Sequence, residues 1–126
     1  MQKLGKREEQ IMHVIWQLEK AFIRDIMEQL PEPKPHYNTV ATMVKILQEK
    51  GFLRAEKLGN VYCYAPAVSL ADYQKQDVAS IKRKYFGNSL SNMITYFAKE
   101  ENLSDAELDE IIKIIQSNKS SDSPKP

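Results

Sequence analysis

Seven polar side chains fall where they can bond to nucleic acid. Tyr37, Asn38, Thr39, Thr42 and Lys45 follow one another along a stretch of helical periodicity, and Arg54 and Lys57 stand on a strand-like run beyond it. Asparagine and threonine offer donors and acceptors to base edges or phosphates, and lysine and arginine offer cationic donors. Tyr37, Asn38 and Thr39 sit where a helix begins, and the free N–H groups and dipole of a helix start favour a phosphate. Glu49 and Glu56 oppose this and are expected to sit away from phosphate.

Catalysis finds few carriers in the same sequence. Glu9 lies four residues before His13, which is not the His-Glu-x-x-His spacing of a zinc protease, and there is no Gly-rich phosphate loop and no GxSxG. Cys63, between Tyr62 and Tyr64, reads as a small strand residue. One cysteine and the distant pair His13 and His36 cannot form a Cys/His metal cluster within the chain. No enzymatic activity, cofactor or metal is expected.

These side chains need elements to hold them. Ile11, Val14, Ile15 and Leu18 recur at i, i+3, i+4, i+7 and predict a helix over about residues 6–18, with the Trp16 ring in the same core. Ile23, Ile26, Met27 and Leu30 repeat the pattern in a short second helix, which the prolines at 31, 33 and 35 must stop. Val40, Met43, Val44 and Leu47 form the stripe of a third helix, capped by His36 or Asn38 and ended by Gly51 after Lys50. With that stripe turned inward, Asn38, Ala41, Thr42, Lys45 and Glu49 turn outward. Two strand-like runs, 52–58 and 61–65, flank Gly59-Asn60 and read as a β-hairpin closed by Pro66.

Three short helices followed by one hairpin is the element order of a winged helix-turn-helix, over about residues 2–66, with the third helix as the reading helix. Ser69 then caps a fourth helix to about Tyr85, broken by Gly87-Asn88. A fifth carries Leu90, Met93, Ile94 and Phe97, and the capping box Ser104-Asp-Ala-Glu107 opens a sixth with Leu108, Ile111, Ile112 and Ile115. The expected fold is mostly α with a small β-hairpin. It divides into a DNA-binding winged helix (1–68), a three-helix dimerisation region (69–117) and a tail too polar to pack (118–126). The apolar faces of the last three helices need a cover, either the winged helix or a second copy, and two-fold pairing suits a reader of palindromic sites.

The chain of 126 residues has a net charge of +1, so the placement of charge, not its amount, must carry any DNA argument. Lys82-Arg83-Lys84 reads as a solvated face, with phosphate contact as the alternative. No apolar run is long enough to span a bilayer and no signal peptide is evident, so a cytoplasmic location is expected. Winged helices also serve as protein-interaction modules without a DNA role, and an effector pocket between the last helices is a third reading that no residue marks.

Three stretches together carry a resemblance: Glu9-Gln-Ile-Met-His-Val-Ile-Trp16, residues 37–53 from Tyr37-Asn-Thr-Val to Gly51-Phe-Leu53, and Tyr85-Phe-Gly-Asn-Ser89 followed by residues 93–98. Over about residues 4–117 the sequence resembles the penicillinase-repressor family of bacterial transcription regulators, the BlaI/MecI/CopY group. The resemblance implies a homodimeric repressor on a palindromic DNA operator. It also implies derepression through a membrane sensor protease, with cleavage in the dimerisation region at the bond matching Tyr96–Phe97. Tyr96 stands where family members often have Asn, and Ala41 where they often have Arg. The cysteine cluster of the copper-responsive branch is absent. A cut beside Phe97, at the end of the fifth helix's stripe, would also split one cooperative interface on physical grounds alone.

Overall fold

The structure, a computed structural model, describes residues 3–121, with side chains described to residue 117. Its elements run α1 (Lys6–Leu18), α2 (Ile23–Gln29), α3 (Tyr37–Glu49), β1 (Leu53–Leu58), β2 (Val61–Pro66), α4 (Leu70–Tyr85), α5 (Leu90–Glu100) and α6 (Asp105–Ser121). Among the described residues this is the expected mostly helical chain with one hairpin. Gln2, the expected start of the winged helix, lies outside the described residues. The chain forms two compact units, Met1–Asp77 and Val78–Pro126.

The first unit is built around one apolar core of Leu4, Ile11, Met12, Ile15, Ile26, Leu30, Val40, Val44, Leu47, Phe52 and Leu53, with Tyr73 of α4 joining it. Met12 is fully buried although it lies off the stripe read from the sequence. Leu18, placed on that stripe, is exposed, because α1 ends there and Glu19 turns the chain away at φ 69°. Trp16 sits half-buried at the core edge. Its indole N–H donates to the Val68 carbonyl at 2.8 Å, the polar partner a partly buried tryptophan requires.

Local chemistry sets the helix limits. The Phe22 N–H donates to Asp25 Oδ2 at the start of α2 (3.0 Å). At its end Lys34 Nζ donates to the carbonyls of Met27 (2.7 Å), Glu28 (3.0 Å) and Leu30 (3.2 Å), which have no further turn to bond to. His36 occupies the N-cap of α3 but makes no side-chain cap bond, and Asn38 lies inside the helix, so neither expected cap forms. The C-terminus of α3 is a Schellman motif: Gly51 N–H donates to Gln48 O (3.0 Å), Phe52 N–H to Leu47 O (2.9 Å), and Gly51 takes φ +86°. That motif aims the fully buried Phe52 into the core and starts the hairpin.

β1 and β2 pair antiparallel, Leu53 opposite Pro66 and Leu58 opposite Val61. Gly59 takes φ +66° as the first residue of the two-residue turn, the position a type II′ turn reserves for glycine. An isolated bridge adds Ala21 to the hairpin: Ala21 N–H donates to Tyr64 O at 2.9 Å and Tyr64 N–H to Ala21 O at 2.8 Å. Tyr73 Oη donates to Glu9 Oε2 at 2.7 Å, and its ring meets Phe52 edge-on at 5.8 Å, so the first turns of α4 belong to the first unit.

In the second unit the Ser89 side chain accepts from Asn92 N–H at the start of α5, and Ser104 Oγ accepts from Glu107 N–H and donates to Glu107 Oε1 at the start of α6. The Ser104 cap stands where the sequence places it, and the Ser89 cap is one the sequence reading did not name. Met93 is buried; Leu90, Ile94, Phe97, Ile111, Ile112 and Ile115 are exposed. The tail expected to lack structure from residue 118 is instead helical through Ser121. No glycine or proline interrupts α6 before Pro124, and polar residues extend a helix already nucleated. Residues 122–126 lie outside the described residues.

Candidate nucleic-acid interface

Helix α3 separates two faces. Val40, Val44 and Leu47 are wholly buried, and Met43 packs partly against them. Asn38, Thr39, Thr42, Lys45 and Glu49 are exposed, and Ala41 is half-buried between the faces. Tyr37, the first helical residue, is 55% exposed, unusual for an aromatic ring held on a rigid element. The five residues read as candidates on this helix therefore share one solvent-facing surface. That surface offers hydroxyl, amide and ammonium donors.

The wing positions its two cations differently from each other. Lys57 is exposed on β1 opposite Tyr62. Arg54 is exposed too, but its Nη1 donates to the Pro66 carbonyl at 2.9 Å, folding it back across the base of the hairpin. Expected on phosphate, Arg54 is thus engaged within the chain; a register that places it opposite Ala65 puts the Pro66 carbonyl within its reach. Glu56 faces Lys20 at 3.8 Å between highly exposed side chains. Such a pair contributes little to stability, but it neutralises a carboxylate on the wing.

At the other end of α3, Lys50 Nζ lies 2.8 Å from Glu8 Oε2, with both side chains mostly covered. Burial acts to raise the Glu8 carboxyl. The bond and charge of Lys50 and the Gly5 N–H outweigh it, and the group is held below the usual carboxylate range. Lys50 is therefore part of the scaffold under α3.

The sequence reading missed Arg24 and Tyr62. Both face an open cleft that also takes in Tyr37 and Tyr64. Strand alternation in Val61-Tyr-Cys-Tyr64 is the signal for the two tyrosines, since it sets them on one face of β2 with Cys63 buried on the other. Nothing local marks Arg24, because its place depends on the Ala21–Tyr64 bridge.

The candidate dimer residues divide. Met93 is used inside its own unit and Leu108 is half-buried. Leu90, Ile94, Phe97, Ile111, Ile112 and Ile115 form exposed faces of α5 and α6. Tyr96 and Phe97, the candidate cleavage pair, are about half exposed within α5, and both rings pack on Phe86, at 5.4 and 6.0 Å. His13 stacks edge-on against Trp16 at 5.3 Å. Among the described residues no His/Cys/Asp/Glu group could hold a metal ion, and no helix is long and apolar enough to cross a membrane.

Comparison with known proteins places this geometry. The penicillinase repressor family profile matches residues 4–117. The penicillinase repressor of Bacillus licheniformis is 25% identical over 118 residues, covering 93% of this chain and 92% of its own. The methicillin resistance regulatory protein MecI of Staphylococcus aureus (strain N315) is 23% identical over 114 residues, 90% of this chain and 93% of its own. The solution structure of the DNA-binding domain of the repressor BlaI is 28% identical, with a TM-score of 0.50, covering 58% of this chain and 94% of that domain.

Proposed function

The chain belongs to the penicillinase repressor family, and from that premise we propose that it is a DNA-binding transcriptional repressor, not an enzyme, acting in the cytoplasm as a homodimer on a palindromic operator. The observation that carries the DNA reading is α3. It has an inner face of buried Val40, Val44 and Leu47, and an outer side on which Asn38, Thr39, Thr42 and Lys45 are exposed, with Tyr37 half exposed beside the wing. The winged helix (1–68) reads DNA, Tyr37 to Thr39 at the backbone and Thr42 and Lys45 in the groove, with Lys57 on the flanking phosphates. Arg54 joins them by releasing the Pro66 carbonyl.

The region 69–117 joins two copies, using the exposed Leu90, Ile94, Phe97, Ile111, Ile112 and Ile115, with Met93 and Leu108 beneath them. A membrane sensor protease system relieves repression by a cut at Tyr96–Phe97. That bond is helical, so cutting requires a local unwinding of α5. Losing the dimer removes the effectively intramolecular second half-site and lowers operator affinity without touching a base contact.

The test is duplex binding by the full chain as salt rises. A DNA reader loses affinity with a log–log slope of about −0.9 for each phosphate contacted. No binding to any duplex at low salt would favour the alternative, a winged-helix adaptor without a DNA role.

A further inference from the structure

The cleft between the start of α2, the start of α3 and the wing has a volume of ≈ 450 Å³. Its walls are Phe22 and Arg24 on one side, Tyr37 at the end of the reading helix, and Asn60, Tyr62 and Tyr64 on the other. The two backbone bonds between Ala21 and Tyr64, 2.9 and 2.8 Å, hold the opposite walls at a fixed separation.

The chemistry of the cleft is one-sided. Arg24 brings a guanidinium, 5.7 Å from the Phe22 ring centroid. Tyr37, Tyr62 and Tyr64 bring three phenol hydroxyls, and Asn60 an amide. None of the residues lining the cleft is acidic, and the neighbouring Asp25 turns its carboxylate onto the Phe22 N–H at 3.0 Å. Burial, then the Tyr37 and Tyr62 phenols, push the Tyr64 hydroxyl above its ordinary value, so it remains a donor at physiological pH.

Donors and a cation set among flat apolar rings select the occupant. A small free anion would satisfy Arg24 and leave the rings bare. An apolar ligand would cover the rings and strand the guanidinium. A phosphodiester with its deoxyribose meets both needs, and arginine and tyrosine are among the side chains that bond DNA phosphates.

Resting on the DNA reading above, we propose that this cleft receives the sugar-phosphate backbone of the strand passing between the reading helix and the wing, with Arg24 and the Tyr62 hydroxyl on the phosphate and the Tyr37 ring against the sugar. The contact is sequence-independent. It sets how deeply α3 enters the groove and leaves base choice to Thr42 and Lys45.

The experiment compares the full-length chain with Arg24→Ala, Arg24→Lys and Tyr62→Phe. Each is titrated over a range of salt against a duplex selected from a random library and an unrelated duplex of the same length. Arg24→Ala should weaken both by the same factor, about three- to tenfold, and flatten the salt slope by about 1. Arg24→Lys should keep the slope, and Tyr62→Phe should give a smaller equal loss at unchanged slope. A loss confined to the selected duplex, or unchanged affinity for both, overturns the proposal while the DNA reading stands. A wild-type chain that binds neither duplex overturns the DNA reading and this proposal with it.

Discussion

Lys45 is the lone cation of α3 before Lys50, and Lys50 is committed to Glu8 at 2.8 Å. On the proposed reading, α3 therefore brings one free ammonium, that of Lys45, to DNA. Lys45→Ala should cost about 1 kcal/mol of operator affinity, near fivefold, and reduce the salt slope by about 1. Thr42→Ala should cost about the same at unchanged slope, with neither variant altering the sedimentation of the free protein. Unchanged affinity in both would displace α3 from the groove. The sequence makes Lys45 and Thr42 readable because both follow from one helical period. It hides the Lys50–Glu8 pair, whose members lie far apart in the chain, and the return of Arg54 to the Pro66 carbonyl, which depends on hairpin register. The Glu8 pair also carries a pH signature. Its carboxyl titrates below its ordinary value of 4.5, so its stabilisation is full above that pH and fades as pH falls through the folded-state value. Glu8→Gln should lower unfolding free energy by about 1–2 kcal/mol at pH 7, in the range of a charge-assisted bond, and by progressively less below about pH 4. Urea titrations at the two pH values decide it; an equal loss at both would mean the pair contributes packing alone.

Element boundaries follow closely from local signals, because caps and turns act over three or four residues. Gly51, Gly59, Ser69 and Ser104 all stand where their chemistry predicts. The failures are elements completed from afar. Ala21 becomes a strand partner only when Tyr64 reaches it, Lys34 closes α2 in place of a cap residue, and Met12 is buried because the core surrounds more of α1 than one stripe. The cleft at Arg24 was illegible for the same reason. Gly51 allows a test of one element end. It sits at φ +86° with no atom within 4 Å of an added Cβ, so a side chain meets backbone strain but no clash. Gly51→Ala should cost about 1–2 kcal/mol, read as a lower urea midpoint at unchanged m-value. A null result would mean the Schellman end of α3 can shift to another conformation without disturbing Phe52.

At the scale of the whole molecule, apolar surface is distributed unevenly. Of seventeen exposed large hydrophobic side chains among the described residues, eleven belong to the second unit, while Met93 is its one buried hydrophobic residue. Helix α6 has no buried side chain among its described residues and presents Ile111, Ile112, Ile114 and Ile115 to solvent. A helix keeps its place mainly by burying an apolar face, so these isoleucines argue for a cover from outside their own unit. The proposed second copy is a cover that would also serve a palindromic operator. Paired Ile112→Asp and Ile115→Asp should place like charges in that interface and give a monomer by sedimentation. Affinity for a two-half-site duplex should fall by about 10²- to 10⁴-fold, toward that of a single half-site, because the second contact is no longer intramolecular. Affinity for an isolated half-site should stay unchanged, since the core beneath α3 uses neither isoleucine. Retained dimerisation would move the interface off α6. A monomer that keeps full affinity for the two-half-site duplex would remove dimerisation from the account of repression.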